Sequence, residues 1–176
     1  IELGLVGSEM CIRDRSFTAQ VNAIGALNVF DSVKESFDNV RVYQASSSEM
    51  FGSAVDKDNF QRETTPMHPV SPYGCSKLYA YSVARNYRHS YGLFISNGIL
   101  FNHESPRRGT NFVTAKVVKG ALDIKYGKET KLQMGNLDSY RDWGHSYDYT
   151  KAMIKLLQLD TPEDIVISTG KAYSVR

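Results

Sequence analysis

The chain has 176 residues, 41% of them hydrophobic, and a formal net charge of +2. That length supports one domain with a hydrophobic core, and the nearly balanced charge argues against nucleic acid as a partner. No run approaches the roughly 20 apolar residues of a membrane helix, and Cys11 and Cys75 form no metal or disulfide pattern. We therefore expect a protein of the reducing cytoplasm, with no membrane partner and no metal site.

The first half of the chain alternates helix and strand patterns. Residues 1–15 show no clean period, whereas apolar residues at helical spacing predict a helix over 21–37. The run VRVYQASSS, residues 40–48, is typical of a buried strand that ends in small polar residues. A long polar loop over 52–70 follows, of a length that is usually functional or mobile. Ser71 as cap and Pro72 in the first turn then begin a helix that ends at Gly92.

The second half repeats the alternation. The patterns predict a strand over 93–102, a loop over 103–110, a helix over 111–127, short extended pieces over 131–145, a helix over 146–160 and a strand over 163–170. Strands that alternate with helices indicate an α/β fold with a doubly wound, Rossmann-like parallel sheet. Ligands of such sheets bind outside the carboxyl ends of the strands, where ASSSE (45–49) and NHESPRRG (102–109) lie.

Tyr73 and Lys77 are four residues apart in the predicted helix, so they share one face. An adjacent ammonium favours a phenolate, which is a suitable base for an alcohol proton. The alternative is an ordinary surface Tyr–Lys pair. Ser47 and Glu49 at the end of the preceding strand form either a polar turn or a hydroxyl with a nearby carboxylate. Together the four residues would supply a hydroxyl donor, a carboxylate acid/base and a phenolate base.

Four runs carry a family resemblance: ASSSEMFG, SPYGCSK, NGILFNHESPRRGTNFVT and GNLDSYRDWGHSYDY. With them the chain resembles the extended short-chain dehydrogenase/reductase family and, within it, the GDP-mannose 4,6-dehydratases. The resemblance runs from about Phe17 to Arg176, roughly the middle half of a family member. It implies NADP as cofactor and GDP-mannose as substrate.

The resemblance also implies roles for individual residues. Ser47, Glu49, Tyr73 and Lys77 match the family's catalytic positions. The cofactor positions are matched by Phe17, Lys77, His103 and Arg108, and the substrate positions by Asn102, Lys116 and Arg141. Without the resemblance, His103 would be interpreted as a loop histidine bonded to backbone, and Arg107 with Arg108 as a solvated pair. Trp143 is expected in the core.

The implied reaction is an internal redox cycle. Tyr73 takes the proton of the sugar C4 hydroxyl while hydride passes to the cofactor, Glu49 removes the C5 proton, water leaves from C6, and the hydride returns to C6. The product would be GDP-4-keto-6-deoxymannose, the first intermediate toward GDP-fucose and other GDP-6-deoxysugars. The alternatives are another nucleotide-sugar epimerase or dehydratase of the superfamily, or a non-catalytic fragment that binds GDP-sugar or partner chains.

The resemblance divides the chain into three parts. Residues 1–16 match no part of the family, and we interpret them as a non-family head of artefactual origin, in which Gly4 and Gly7 do not build the family's Gly-rich turn. Residues 17–105 would form the later part of the NADP-binding domain, without its first βαβ unit, and residues 106–176 part of a smaller substrate-binding domain interleaved with the last Rossmann elements. Phe17 stands where the family usually has a tyrosine. The helices that contain Val21 and Tyr73 resemble a pair that forms a four-helix interface, which implies a homo-oligomer, a dimer or a tetramer.

Overall fold

The structure is a computed structural model and describes residues 14–36 and 39–176. Residues 1–13 are not among the described residues, so most of the predicted non-family head, including Gly4 and Gly7, lies outside them. The elements, in chain order, are α1 (Arg15–Ala19), a π-helical segment (Gln20–Ile24), α2 (Gly25–Ser36), β1 (Arg41–Ser47), a 3-10 turn (Ser48–Met50), α3 (Pro72–Tyr91), β2 (Phe94–Leu100), β3 (Asn102–Glu104), α4 (Val113–Lys125), β4 (Tyr140–His145), α5 (Ser146–Leu156), β5 (Asp164–Ile167) and β6 (Ala172–Ser174).

Three parallel strands form the central sheet, in the order β1-β2-β5. The register pairs Ser47 with Leu100, and Leu100 with Ile167, so the three strands end at the same level. The predicted α/β fold with a parallel sheet is thereby confirmed. A second small sheet has the order β3-β4-β6, with β3 and β4 parallel and β6 antiparallel to β4.

The core is built where α2 and α3 pack against the central sheet. Phe30 from α2, Ala84 and Tyr87 from α3 and Ile95 from β2 form one buried cluster. A second cluster lies nearer the carboxyl ends of the strands and contains Met50, Phe51, Tyr81 and Ile99. This second cluster fixes the backbone that follows β1, because Met50 and Phe51 are fully buried.

A chain of hydrogen-bonded polar side chains runs through the same core. Asn97, fully buried in β2, donates to Asp164 Oδ1 at 2.7 Å, and its Oδ1 accepts the Ser46 hydroxyl at 3.2 Å. Asp164 also pairs with Arg88 at 2.5 Å. Since buried polar groups cost free energy unless they are bonded, this chain of contacts specifies how β1, β2 and β5 align.

Several predicted boundaries were wrong. The first described helix begins at Arg15 and not at Val21, because the Asp14 carboxylate accepts the backbone N–H of Phe17 at 2.7 Å and caps it. His103 and Glu104, predicted in a loop, belong to β3. Strand β6 falls in a stretch for which no element was predicted. Both short strands depend on pairing with β4, which local sequence patterns do not report.

Two other features complete the fold. The predicted loop over 52–70 contains no helix or strand, yet it is well bonded, with Arg62 bridging Asp56 at 2.8 Å and Asp58 at 2.6 Å. Glu63 Oε1 accepts the backbone N–H of Val166 at 2.6 Å, which ties the loop to β5. Among the described residues, no helix is long and apolar enough to cross a membrane.

Candidate active site

The carboxyl end of β1 holds Ser47 and Glu49. The strand ends at Ser47, whose hydroxyl accepts the backbone N–H of Glu49 at 3.2 Å and so caps the following 3-10 turn. The Glu49 side chain is exposed, whereas Met50 and Phe51 directly after it are fully buried. The buried pair therefore anchors a segment that presents Glu49 to the crevice.

Helix α3 brings Tyr73 and Lys77 to the same edge of the sheet. Ser71 caps the helix by accepting the backbone N–H of Gly74 at 3.0 Å, and Pro72 occupies its first turn, as the sequence predicts. The Lys77 ammonium lies 5.6 Å from the centre of the Tyr73 ring and donates to the carbonyl oxygen of Ala45 at 2.9 Å. Ala45 is two residues before Ser47, on the same face of β1.

The four predicted catalytic residues are thus brought together by β1 and the start of α3. Glu49 Oε2 accepts the Ser71 hydroxyl at 3.0 Å, which links the 3-10 turn directly to the beginning of α3. Burial lowers the pKa of Lys77, because removal from water disfavours its charged form. The ammonium keeps a carbonyl partner in Ala45 and lies near the Tyr73 ring.

His103, the predicted cofactor residue after β2, has a fixed orientation. Its Nδ1 lies 2.8 Å from the carbonyl oxygen of Phe101, and because a carbonyl only accepts, Nδ1 carries the proton. The imidazole stacks on Tyr149 of α5, with ring centres 4.8 Å apart. Burial, together with the nearby charge of Asp142, raises the pKa of Tyr149 to about 12, so the ring under His103 is a neutral phenol at physiological pH.

Of the other two predicted cofactor residues, Arg108 is already paired and Phe17 is half-exposed. Arg108 Nε lies 3.1 Å from Glu104 Oε2, and the guanidinium covers the Phe112 ring at 3.5 Å from its centre. Thr114 donates to the same carboxylate at 2.7 Å. Phe17 lies on α1 with half of its side chain exposed.

The three predicted substrate residues line one cavity. Asn102, Lys116 and Arg141 come from β3, α4 and β4 and enclose, with other side chains, a space of about 150 Å³. Trp143 also lines it and is half-buried, so the prediction that this residue belongs to the core was wrong. The cavity combines an aromatic wall with cationic and amide groups, which suits a flat base with an anionic tail.

The sequence model of the GDP-mannose 4,6 dehydratase family matches residues 11–176, so the match begins six residues before the predicted start of the resemblance at Phe17. The chain belongs to the GDP-mannose 4,6 dehydratase family. A human GDP-mannose 4,6 dehydratase is 51% identical over 162 residues, which cover 91% of this chain and 43% of that protein. A GDP-mannose 4,6-dehydratase of Vibrio cholerae is 49% identical with the same two coverages. The chain therefore spans less than half the length of these curated relatives.

A solved structure has a similar fold. The structure of RMD from Pseudomonas aeruginosa complexed with NADPH is similar, with a TM-score of 0.89 and 26% identity, over 98% of this chain and 60% of that one. The match confirms the predicted Rossmann-like fold of this GDP-mannose 4,6 dehydratase family member.

Sequence reasoning missed several residues of the candidate site. Asn111, Phe112 and Asn136 line the cavity, and Tyr149 supports His103. Asn111 and Phe112 lie in the run NGILFNHESPRRGTNFVT, but neither residue type indicates a chemical role by itself. Tyr149 could have been found only from the helical spacing of SYDYTKAM, which places it on the buried face of α5.

Proposed function

We propose that this chain carries the catalytic residues and part of the substrate site of a GDP-mannose 4,6-dehydratase. One observation carries the proposal beyond family membership: Ser47, Glu49, Tyr73 and Lys77 converge at one edge of the sheet. The convergence depends on two hydrogen bonds, from Lys77 to Ala45 and from Ser71 to Glu49. This set supplies a base for an alcohol proton and a separate carboxylate for a carbon acid.

NADP is the proposed cofactor, and the donor set at the strand ends fits it. Lys77 presents an ammonium, Ser47 a hydroxyl and His103 an imidazole held by Phe101, and these groups suit the hydroxyls and amide of a nicotinamide nucleoside. When bound, the nicotinamide would supply the redox chemistry: it would accept hydride from the sugar C4 and return it to C6, while C5 regains a proton. The NADPH complex of the similar RMD structure supports this choice.

The residues of this chain then handle the protons. Tyr73, as phenolate beside the Lys77 ammonium, takes the proton of the C4 hydroxyl, and the Ser47 hydroxyl hydrogen-bonds the C4 oxygen. The C4 ketone acidifies C5–H, and Glu49 removes that proton and protonates the hydroxyl that leaves C6 as water. The cavity around Asn102, Lys116 and Arg141 would hold the guanosine diphosphate.

Oligomerisation and location belong to the same proposal. The surface formed by α1, the π-helical segment, α2 and α3 exposes apolar side chains, among them Phe17, Val21, Val29 and Tyr79. We propose that a second copy covers this surface in a homo-oligomer.

A cytoplasmic location is supported by Cys75, an exposed free thiol that a reducing compartment preserves.

The direct test is incubation of the purified protein with GDP-mannose and NADP, followed by mass spectrometry of the nucleotide sugar. We expect a product that has lost one water and carries a ketone. A product of unchanged mass would identify an epimerase instead. Binding of GDP-mannose without any conversion would support the non-catalytic alternative and overturn the proposal.

A further inference from the structure

Ser71 contacts both the proposed acid/base Glu49 and the first turn of α3. Its Oγ is 3.0 Å from Glu49 Oε2 and 3.0 Å from the backbone nitrogen of Gly74. A hydroxyl has one proton, and a carboxylate only accepts, so Ser71 donates to Glu49 and accepts from Gly74. One atom therefore caps α3 and binds the carboxylate at the same time.

The backbones on either side of this contact are packed against each other. A Cβ atom at Gly74 would lie 2.8 Å from the carbonyl oxygen of Glu49 and 3.2 Å from Ser71 Oγ. The close approach needs glycine at this position. Since Met50 and Phe51 are fully buried, the spacing between Glu49 and Ser71 is set by the core rather than by an open loop.

The side chain of Glu49 has less support than its backbone. It is exposed, and an exposed glutamate samples several rotamers in water. The Ser71 hydrogen bond selects one of them and occupies Oε2. Tyr73 follows two residues after Ser71, so the same short segment fixes the phenol and the carboxylate relative to each other.

We propose that Ser71 is a positioning residue that holds Glu49 for the elimination of water, an inference that rests on the proposed function. In that step the C5–H bond breaks and its proton goes to Glu49. The electron pair forms the C5–C6 double bond, the C6–O bond breaks, and the leaving hydroxyl takes the proton as water. Ser71 takes no part in the preceding transfer of hydride from C4.

Three substitutions separate capping from positioning. Ser71→Asp keeps an oxygen that caps Gly74 but has no proton for Glu49 and adds a negative charge beside it. Ser71→Ala removes both functions, and Ser71→Thr keeps both. Ser32→Asp, on the exposed face of α2 where the hydroxyl donates to the carbonyl oxygen of Asn28 in the same helix, is the matched control.

The rates of the two half-reactions are measured in single turnover. Absorbance reports reduction of the nicotinamide, and rapid quench with mass spectrometry reports loss of water. For Ser71→Asp and Ser71→Ala we expect water loss to slow by roughly 10- to 100-fold, because small misplacement of a reacting group costs on that order. Nicotinamide reduction should stay within about two-fold, Ser71→Thr should restore water loss, and Ser32→Asp should match the parent.

Two results would overturn the positioning role. Loss of water from Ser71→Asp at the parent rate would make Ser71 a helix cap only, whatever Ser71→Ala does. Equal slowing of reduction and water loss would indicate general disruption. A parent protein that shows neither step refutes the proposed function instead. In that event, ¹³C NMR of the Glu49 carboxyl tests the contact separately. We expect the resonance to shift in Ser71→Ala and not in Ser71→Thr. An unshifted resonance in Ser71→Ala would refute the Ser71–Glu49 hydrogen bond.

Discussion

The Lys77 ammonium lies 2.9 Å from the carbonyl oxygen of Ala45 and so joins α3 to the last part of β1. The contact places a cation beside Tyr73, and no carboxylate among the described residues pairs with it. A carbonyl compensates an ammonium less than a carboxylate does, and burial lowers the pKa of Lys77 accordingly. The site therefore keeps a charge that is costly to the fold but close to the proposed base.

That cost predicts a pH-dependent stability. The native pKa of Lys77 is below its unfolded value of 10.5, so the unfolded chain binds more protons and the free energy of unfolding rises with pH between the two values. Lys77→Met removes this contribution. We expect the variant to gain stability relative to the parent near neutral pH and to lose that gain as pH approaches 10.5. Urea titrations of both proteins across this range measure it, and a difference that does not vary with pH would contradict it.

Tyr73→Phe should nearly abolish turnover while binding of GDP-mannose stays largely intact. The ring remains and its packing is retained, but the group that accepts the C4 proton is lost. A loss of about 10²- to 10⁴-fold in kcat is typical for removal of a general base. Tyr126→Phe, at an exposed position after α4, serves as the matched control. Unchanged kcat in Tyr73→Phe, with calorimetry showing normal binding, would refute the proposed base.

Glu49→Gln should block water loss more than nicotinamide reduction. The amide keeps the size of the side chain and can still contact the Ser71 hydroxyl, but it cannot remove the C5 proton. Incorporation of solvent deuterium at C5 should fall together with water loss, whereas the rate of nicotinamide reduction stays close to that of the parent. Normal release of the 6-deoxy product would refute the acid/base role of Glu49.

Local chemistry predicts the ends of α3 but not the contacts that complete the site. Ser71 and Pro72 start the helix and Gly92, in the left-handed conformation at φ 69°, ends it, because these residues act on their own backbone. The Ser71–Glu49 hydrogen bond joins positions 22 residues apart, and the Asn102–Trp143 pairing joins two short strands. Both depend on tertiary packing, which the periodicity of a sequence does not report. For this reason the sequence predicts Trp143 in the core, whereas in the structure it lines the cavity.

The buried Asp142 should stabilise the turn after β5. Its contribution should be far larger than that of Asp138, an exposed aspartate four residues earlier in the chain. The buried Asp142 carboxylate accepts backbone N–H groups from Thr169, Gly170 and Lys171 at 2.8–3.2 Å, as well as the Thr169 hydroxyl. Asp142→Asn replaces one acceptor by a donor that faces N–H groups. We expect a loss of about 2–3 kcal/mol in the free energy of unfolding.

Asp138→Asn provides the comparison for that measurement. Asp138 pairs with Arg176 at 2.9 Å, but the two side chains are 74% and 67% exposed. Exposed pairs contribute little, so this variant should lose less than about 1 kcal/mol. Equal losses in the two variants, measured by urea unfolding, would show that the Asp142 contacts add nothing to the stability of the turn.

Gly144→Ala should weaken both the fold and the proposed cofactor site. A Cβ atom there would lie 2.3 Å from Cε2 of Tyr149, a buried ring that cannot move freely. Overpacking of this kind costs about 1–3 kcal/mol. Displacement of Tyr149 would also tilt the imidazole of His103 that stacks on it, so affinity for NADP should fall.

Gly25→Ala tests the same substitution where space is available. A Cβ atom at Gly25 would lie 3.5 Å from the carbonyl oxygen of Gln20, an ordinary contact, and Gly25 has helical dihedral angles. Alanine should stabilise this helix by about 0.5–1 kcal/mol, because glycine loses more conformational freedom on folding. Thermal unfolding and NADP titration of both variants separate the outcomes. If Gly144→Ala unfolds and binds like the parent, the Tyr149 ring has room that the structure does not show, and its support of His103 would be refuted.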